Sequence, residues 1–295
     1  MARKPSSRLP PLGKIASRGK IAFQGEIGSY SHHACRMRFP GMTPLPCATF
    51  EDAIAAVHDR KAKLAMIAVD NSVAGRVADV HHLLPGSGLK IVGEHFQPIH
   101  HHLLVVPGAS LKTLKTAESH IHALSQCRNF LRTHKLKAVV ATDTAGAARD
   151  VAQRQDKTVA AIASASAGQI YGLKSLKANI EDEKHNTTRF LIMAREPIAP
   201  RPGEACVTSM IFRLKSVPAA LYKALGGFAT AGINLTKLES YMVGGFFKSA
   251  EFYAEVEGRP DEKGFKHALM DLGLYTERVD FLGTYPADPF RFKGR

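Results

Sequence analysis

Apolar and polar residues follow a regular alternation of two patterns between Lys20 and Arg195. Short apolar runs predict strands at 20–24, 64–70, 90–94, 102–106, 138–142, 159–163 and 190–193. These runs are continuous, as expected for strands that are covered on both faces. Helical spacing separates them: Thr49 and Asp52 form a capping-box-like start for one helix, and residues 119–134 predict another that opens at Ser119. The alternation predicts an α/β fold with a largely parallel sheet.

The pattern changes after a proline-rich segment. Residues 196–204 (EPIAPRPGE) cannot continue a helix or a strand and predict a linker. Beyond it, the pattern predicts a strand at 205–214, a helix at 218–232 with Pro218 in its first turn, strands at 233–243 and 246–258 around Gly244–Gly245, a helix at 261–272 and a strand at 276–285. This β-α-β-β-α-β order is ferredoxin-like. A unit of about 80 residues is small enough to favour pairing with a second copy.

Positive charge is concentrated at the two ends of the sequence. The formal net charge is +14, and residues 1–20 contribute six basic and no acidic side chains, while residues 290–295 contribute three more. The mildly basic remainder suits a small anionic ligand. Solvated tails at 1–19 and 287–295 are the simplest interpretation, and contact with nucleic acid or an anionic surface is the alternative. Few aromatic residues lie among the basic ones, so no nucleic-acid surface is indicated.

The sequence gives no sign of export or of membrane insertion. No apolar run approaches the roughly 18–20 residues that a membrane span requires, and the first 20 residues lack the apolar core of a secretory signal. The four cysteines, at positions 35, 47, 127 and 206, have no metal-binding spacing. A cytoplasmic protein with reduced thiols is therefore expected.

Four polar clusters lie at or just after the ends of predicted strands, the edge at which open α/β sheets bind ligands. Residues 25–31 (GEIGSYS) fit either an anion cradle or an ordinary turn before a helix. Residues 70–75 (DNSVAG) and 142–145 (TDTA) fit either ligand contacts or helix caps. The fourth cluster, residues 185–190 (HNTTRF), places more polarity at the start of a strand than a strand needs.

The HNTTRF cluster predicts a carboxylate site with a hydrogen-bond donor beside it. Arg189 offers a planar fork for a carboxylate, and Thr188 offers a hydroxyl proton. On an extended chain Asn186, Thr188 and Phe190 face one side, and Thr187 and Arg189 face the other. A twist at the strand entrance is needed to bring Thr188 and Arg189 to one ligand. The sequence shows no Ser/His/Asp set or pair of catalytic carboxylates, so hydrolysis is not indicated.

The histidines raise the question of a metal site. His81–His82, His95 and the run His100–His102 lack the spaced carboxylate or thiolate partners that zinc sites use. Packing or solvent exposure is the simpler explanation, so no metal is expected.

Several of these motifs occur together in one known family. In their order and spacing, the stretches GEIGSYSHHA, VDNSVAG, SHIHALSQC, AAIASASAGQIYGL and NTTRF resemble the bacterial prephenate dehydratases across residues 20–195. The run PAALYKALGGFATAGINLTKLES resembles the ACT regulatory domain of those enzymes, here at 205–286. The resemblance implies a catalytic domain of two α/β lobes, like a periplasmic binding protein. Its second lobe would span about 98–185, and NTTRF would lie on the returning strand.

The resemblance also implies an activity and a set of site residues. Such enzymes convert prephenate to phenylpyruvate with loss of water and carbon dioxide on the way to phenylalanine, without a metal or organic cofactor. Thr188 matches the threonine that assists the departing hydroxyl, and Arg189 matches an arginine near a substrate carboxylate. The implied substrate-binding residues are Gly28, Ser29, Asn71, Ser72, Thr144, Asn186 and Phe190. Asp70 stands where the family has glutamate, and Asp143 stands where it has serine.

The second half implies regulation by phenylalanine at a dimer interface. The matching residues are Leu221, Gly232, Asn234, Leu235, Glu239 and Ser240, while Tyr241–Met242 stand where the family has Arg-Pro. A homodimer or homotetramer, formed through the ACT and catalytic domains, is expected. Two alternatives stay open: an arogenate dehydratase, since arogenate is the amino analogue of prephenate, and a non-catalytic amino-acid sensor.

Overall fold

The structure is a computed structural model that describes residues 18–77, 80–243 and 246–292. It divides into two compact units. The described part of the larger unit comprises residues 18–77 and 95–190, and that of the smaller comprises residues 80–94, 191–243 and 246–292. Two strands run from one unit into the other.

The strands are β1 (Lys20–Gln24), β2 (Thr43–Cys47), β3 (Leu64–Asn71), β4 (Gly75–Arg76), β5 (Lys90–Pro98), β6 (His102–Val105), β7 (Thr116–Ser119), β8 (Lys137–Val140), β9 (Val159–Ala163), β10 (Lys174–Lys177), β11 (Thr187–Ala194), β12 (Cys206–Leu214), β13 (Leu235–Val243), β14 (Phe246–Glu257) and β15 (Thr276–Pro286). The helices are α1 (Tyr30–Arg38), α2 (Phe50–His58), α3 (Val80–Gly86), α4 (Ile121–Ser125), α5 (Arg128–Thr133), α6 (Thr144–Arg154), α7 (Ala165–Tyr171), α8 (Ala220–Thr230) and α9 (Lys263–Tyr275).

The larger unit contains two lobes. The first sheet has the order β2-β1-β3-β11-β5, with β4 added to β3, and β1 runs parallel to both of its neighbours. The second sheet has the order β10-β6-β9-β7-β8. The chain leaves the first sheet after β5, builds the whole second sheet, and returns in β11. This confirms the α/β fold with two lobes, and it places the NTTRF motif at the start of the returning strand.

The smaller unit contains a four-stranded antiparallel sheet with the order β13-β14-β12-β15. Helices α8 and α9 pack together on it, and Phe212, Phe228, Phe265 and Leu272 form the centre of their shared core. The order β12-α8-β13-β14-α9-β15 confirms the ferredoxin-like prediction. The predicted turn at Gly244–Gly245 lies outside the described residues.

Four predictions are wrong. Ser119 does not cap a helix: it is the last residue of β7, and its hydroxyl donates to the Ile162 carbonyl over 2.5 Å. The single helix predicted at 119–134 is instead α4 and α5. The second sheet is mixed, because β6 pairs antiparallel with β9 and β10. Finally, Pro218 precedes α8, which begins after Ala219 in a left-handed conformation with φ +57°.

The structure also adds elements to the prediction. Strands β2, β4, β7 and β10 were not predicted. The two prolines of β2 are tolerated because it lies at the edge of its sheet. Residues Pro289–Phe292, within the segment expected to be a basic tail, form a 3₁₀ turn. There Arg291 pairs with the buried carboxylates Glu94 and Glu255, both in the smaller unit.

Candidate active site

Asn71 organises the polar residues at the start of β11. Its Oδ1 accepts hydrogen bonds from the backbone amides of Val73 and Ala74 over 3.0 and 2.7 Å. These two donors fix the orientation of the side-chain amide, because a rotated amide would turn its own N–H groups towards them. Nδ2 therefore donates, to Asn186 Oδ1 over 2.8 Å and to Thr188 Oγ1 over 3.0 Å.

The Thr188 hydroxyl is thereby left with a proton to give. Because its oxygen accepts from Asn71, its own proton points elsewhere, and it has no acceptor within the described part of the chain. Thr188 is half-buried, whereas Asn186 beside it is 2% exposed. A hydroxyl whose oxygen already accepts one hydrogen bond, and whose proton makes none, is suited to donate to a ligand.

The hydrogen bonds continue from Asn186 into the second lobe. Asn186 Nδ2 donates to Gln126 Oε1 over 2.7 Å, and the same oxygen lies 2.8 Å from Nε2 of the buried His101. His101 Nδ1 lies 2.8 Å from the hydroxyl of Tyr30, the first residue of α1. Six side chains thus form one continuous chain: Tyr30, His101, Gln126, Asn186, Asn71 and Thr188.

Burial shifts the pKa values at the far end of this chain. It lowers the pKa of His101 below its usual value, against the opposing effects of the Gln126 hydrogen bond and the Glu181 charge. Burial likewise raises the pKa of Tyr30 well above its usual value, and Cys127 and Glu181 act in the same direction. The phenol therefore stays protonated at neutral pH.

Arg189 lies on the opposite face of β11 from Thr188. Its Nη1 is 3.5 Å from Asp70 Oδ2, and its guanidinium carbon is 5.8 Å from the centre of the Phe96 ring. The residue is 7% exposed. Strand alternation thus places the Thr188 and Arg189 side chains on opposite faces, where they contact Asn71 and Asp70 respectively.

The other residues of these two motifs hold the backbone in place. The Ser72 hydroxyl donates to the His185 carbonyl over 2.8 Å and accepts from the Thr187 amide over 2.9 Å. Phe190 is a core residue, with 1% of its surface exposed. Asn71, Asn186 and Thr188 are therefore brought together by direct hydrogen bonds, while Ser72 and Phe190 support the strand that carries them.

Gly28 and Ser29 join the two lobes and cap a helix. The Ser29 hydroxyl accepts from the His32 amide at the start of α1. The Gly28 carbonyl accepts from the Ser164 hydroxyl over 2.7 Å, and Gly28 has φ +96°, with Ala167 Cα only 3.2 Å from where a Cβ would lie. Three amides of this segment are already bonded within it or nearby: Gly25 to Cys47 O, Gly28 to His32 Nδ1 and Ser29 to Glu26 O. This pattern is that of a turn.

Thr144 is the first residue of α6 and is half-buried. The cap of that helix is Asp143, whose Oδ1 accepts from the amides of Ala145 and Gly146. Thr144 is therefore not needed as the cap. Its side chain has no hydrogen bond to the Asn71 group among the described residues.

The residues expected to bind phenylalanine fall into two places on the smaller unit. Gly232, Asn234 and Leu235 form the turn from α8 to β13, and Leu221 packs against the core beneath α8. Glu239, which pairs with Lys237 over 3.1 Å, and Ser240 lie further along β13. Glu239 lies four residues after Leu235 along the strand, a span of about 13 Å.

Sequence reasoning missed Tyr30, His101 and Gln126. Tyr30 lies within the GEIGSYS motif, where only the glycines and serines indicate a ligand site. His101 lies in a run of three histidines, a pattern that packing or solvent exposure explains. Gln126 lies between α4 and α5, away from any strand end, and only its place before Cys127 in the SHIHALSQC stretch marked it.

The described residues contain neither a candidate metal site nor a helix that could span a membrane. No group of three or more histidine, cysteine, aspartate or glutamate side chains there is placed to hold a metal ion. Nor is any helix in that part of the chain both long and apolar enough to cross a membrane.

The two lobes and the hydrogen-bonded cluster at the start of β11 place the larger unit among two-lobed α/β proteins. More specifically, residues 21–198 match the family model for prephenate dehydratase, and the chain belongs to that family. It is 50% identical over 274 residues to the bifunctional N-acyl-homoserine lactone acylase/prephenate dehydratase of Komagataeibacter europaeus, covering 92% of this chain and 98% of that protein.

Two further relatives bear on the function. Arogenate dehydratase/prephenate dehydratase 1, chloroplastic, of Arabidopsis thaliana is 38% identical, covering 93% of this chain and 74% of that one. The crystal structure of prephenate dehydratase from Arthrobacter aurescens in complex with L-Phe has a TM-score of 0.83 at 29% identity, and the match covers 91% of this chain and 90% of that one.

Proposed function

We propose that this chain is a prephenate dehydratase, a hydro-lyase that converts prephenate to phenylpyruvate. The observation that carries the proposal is the Thr188 hydroxyl, which accepts from Asn71 Nδ2 over 3.0 Å and so keeps its proton for a ligand. In this reaction the electron pair of the bond to the departing carbon dioxide enters the ring, and the ring hydroxyl leaves as water with one proton taken up. Thr188 assists that departure.

The other site residues hold the substrate in this proposal. Asn71 and Asn186 orient Thr188, and Arg189 binds a substrate carboxylate. Gly28, Ser29, Ser72, Thr144 and Phe190 complete the binding region. The catalytic domain spans residues 20–195, with a second lobe at about 98–185, and acts without a metal or organic cofactor.

The C-terminal half is proposed to be an ACT domain that regulates the enzyme. It spans residues 205–286 after a linker at 196–204, and phenylalanine binds where two copies meet, at Leu221, Gly232, Asn234, Leu235, Glu239 and Ser240. The L-Phe bound by the Arthrobacter relative supports this effector. The enzyme is a cytoplasmic homodimer or homotetramer. Added phenylalanine should lower its rate, and an unchanged rate together with no heat of binding in calorimetry would refute the regulation.

The proposal is tested by mixing the purified protein with prephenate and, separately, with arogenate. Phenylpyruvate should form from prephenate, because the protein belongs to the prephenate dehydratase family. Plant relatives named as arogenate dehydratases make arogenate the competing substrate, and phenylalanine formed at a higher kcat/KM would favour it. Reaction with neither substrate would favour an amino-acid sensor.

Thr188→Ala should lower kcat by roughly 100- to 1,000-fold with little change in KM, because a donor that acts on developing charge contributes about 3–4 kcal/mol to the transition state. Thr187→Val is the matched control, since the Thr187 hydroxyl donates only to the His185 carbonyl over 3.3 Å. Its kcat should stay within a few-fold of wild type. A Thr188→Ala enzyme with wild-type kcat would remove Thr188 from the mechanism.

A second candidate activity comes from the relative in Komagataeibacter europaeus. That protein is named as an N-acyl-homoserine lactone acylase as well as a prephenate dehydratase, and it is 50% identical to this chain. Incubation with an N-acyl-homoserine lactone should then release the free amine of homoserine lactone. No amine above the buffer control would leave the dehydratase as the one activity supported.

A further inference from the structure

We propose that His101 is a positioning residue for the dehydratase reaction: its Nε2–H holds the Gln126 carbonyl, so that the Gln126 amide presents N–H protons to the ligand. This inference rests on the proposed function. His101 is 2% exposed and lies in the segment that crosses from β5 to β6, between the two lobes. It acts through Gln126, and its own ring lies behind that side chain.

The amides of Val73 and Ala74, which donate to Asn71, set the direction of each hydrogen bond from Asn71 to His101. They force Asn71 Nδ2 to donate to Asn186 Oδ1, and Asn186 Nδ2 must then donate to Gln126 Oε1. Since Oε1 can only accept, the His101 Nε2 at 2.8 Å must carry a proton and donate it. One tautomer of His101 is thereby selected by groups more than 25 residues away in the sequence.

The same argument fixes the other end of Gln126. With Oε1 held by two donors, the Nε2 of Gln126 points away from them. Gln126 is half-buried, and its Nε2 has no hydrogen-bond partner in residues 18–77, 80–243 and 246–292, nor is it one of the buried unpaired atoms. The six hydrogen-bonded side chains therefore include two donors that can bind a ligand, the Gln126 amide and the Thr188 hydroxyl.

The proton on His101 Nε2 is present whether the ring is neutral or charged. In the neutral ring Nδ1 accepts from the Tyr30 hydroxyl; in the charged ring Nδ1 donates to it, and Tyr30 donates to the His100 carbonyl at 2.9 Å. The charged groups near the ring are Glu181, His100 and His102, and burial lowers the pKa of His101 overall. Nε2 keeps its proton in both states, so titration of His101 leaves the bond to Gln126 intact.

His101 is itself held rigidly between the lobes. Its amide donates to Glu181 Oε2 over 2.9 Å, and its carbonyl accepts from the Ile180 amide over 3.0 Å. Nearby, the Asp182 amide donates to the Gln126 carbonyl over 2.6 Å. The two segments that connect the lobes are thus bonded to each other at His101, which gives Gln126 a fixed support.

The test compares two substitutions of similar size, one that supplies an N–H donor and one that does not. His101→Gln places an amide N–H close to the position of Nε2, whereas His101→Met fills a similar volume without a donor. We expect His101→Met to lower kcat/KM for prephenate by roughly 10- to 100-fold, since a small misplacement of a reacting group costs about that much. His101→Gln should stay within about threefold of wild type.

The control pair is His102→Gln and His102→Met. His102 is adjacent in sequence, but its ring bonds to Ser175 and lies outside the chain of six. Both variants should behave like wild type. Melting temperatures are measured for all four proteins, so that a His101→Met enzyme that melts like His101→Gln but turns over slowly supports positioning over simple loss of structure.

Two further readouts separate positioning from acid–base catalysis. His101→Gln should keep the acidic limb of the wild-type pH–rate profile, and its disappearance would make His101 an acid–base catalyst and overturn the proposal. Long-range ¹H–¹⁵N NMR spectra should show the Nε2–H tautomer for the His101 signal that is missing in His101→Gln, and an Nδ1–H tautomer would also overturn it.

Failure of this inference differs visibly from failure of the proposed function. An active wild type with an equally active His101→Met overturns the inference alone. A wild type inactive on both prephenate and arogenate overturns the proposed function and the inference with it.

Discussion

Burial keeps several histidines of this protein neutral, and His95 is the clearest case. It is 7% exposed, its Nδ1 has no hydrogen-bond partner among the described residues, and its Nε2 lies 3.3 Å from Gln97 Oε1. Burial, together with the charges of Arg38 and His33, lowers the pKa of His95 to about 4. A protonated ring at this position would be a poorly solvated charge beside two other basic side chains.

This residue should make the protein sensitive to mild acid. Because the pKa of folded His95 lies below that of the unfolded chain, the unfolded state takes up the proton first. The contribution of neutral His95 to the free energy of unfolding is fully present above about pH 6.5. At roughly pH 5 that contribution is smaller by about 2 kcal/mol. Urea unfolding at about pH 7.5 and pH 5 should therefore show a smaller loss for His95→Leu than for wild type. Equal losses in the two proteins would contradict this.

At the scale of the strand, the two-residue repeat of β11 decides which side chains can cooperate. Asn186 and Thr188 both bond to Asn71, whereas Arg189 meets Asp70 on the other face. Asp70 and Asn71 alternate on β3 in the same way. A ligand held by Thr188 must therefore extend around the end of the strand to reach Arg189, or Arg189 must exchange Asp70 for the substrate.

The substitution Arg189→Lys tests whether the substrate contacts Arg189. If the guanidinium binds a substrate carboxylate, KM should rise about tenfold with kcat little changed, because an ammonium cannot reproduce a planar fork. Steady-state kinetics on prephenate measure this, with the exposed Arg132→Lys as control. An unchanged KM with a lower melting temperature would instead assign Arg189 to joining β3 and β11.

The sequence predicted elements well where one local pattern determines them. The apolar runs at 20–24 and 159–163 are β1 and β9 to the residue, and the Thr49–Asp52 capping box is present. Prediction failed where tertiary packing outweighs local preference. Strand β2 contains two prolines, and Ser119 satisfies its hydroxyl across the sheet instead of at a helix start. Tyr30, His101 and Gln126 belong to three separate segments, so no single stretch of sequence marks them as neighbours.

At the scale of the whole chain, one arginine pairs with two buried carboxylates in the smaller unit. Arg291 Nε and Nη2 donate to Glu94 over 2.6 and 2.8 Å, and Nη2 also donates to Glu255 over 2.9 Å. Side-chain exposure is 11% for the arginine, 0% for Glu94 and 1% for Glu255. Glu255 also accepts from the Tyr253 hydroxyl over 2.6 Å. The guanidinium thus places one positive charge between two carboxylates that are shielded from solvent.

Arg291→Met should accordingly lower the free energy of unfolding by about 3–5 kcal/mol, because it removes the cation that two buried carboxylates share. Arg278→Met is the matched control: that side chain is 62% exposed and pairs only at the surface with Asp280, so a change within about 0.5 kcal/mol is expected. Chemical denaturation of both variants gives the comparison. Similar values for the two would mean that the Arg291 cluster adds no more stability than a surface ion pair.

The position of Arg291 also has a consequence for how the protein is made. Glu94 leaves the ribosome 197 residues before the arginine that pairs with it. At roughly 5–20 residues per second, the nascent chain carries Glu94 without Arg291 for on the order of 10–40 s. During this interval residues 80–94 have been synthesised while most of the smaller unit has not. The larger unit, whose last described residue is Phe190, is fully translated well before the smaller one can close.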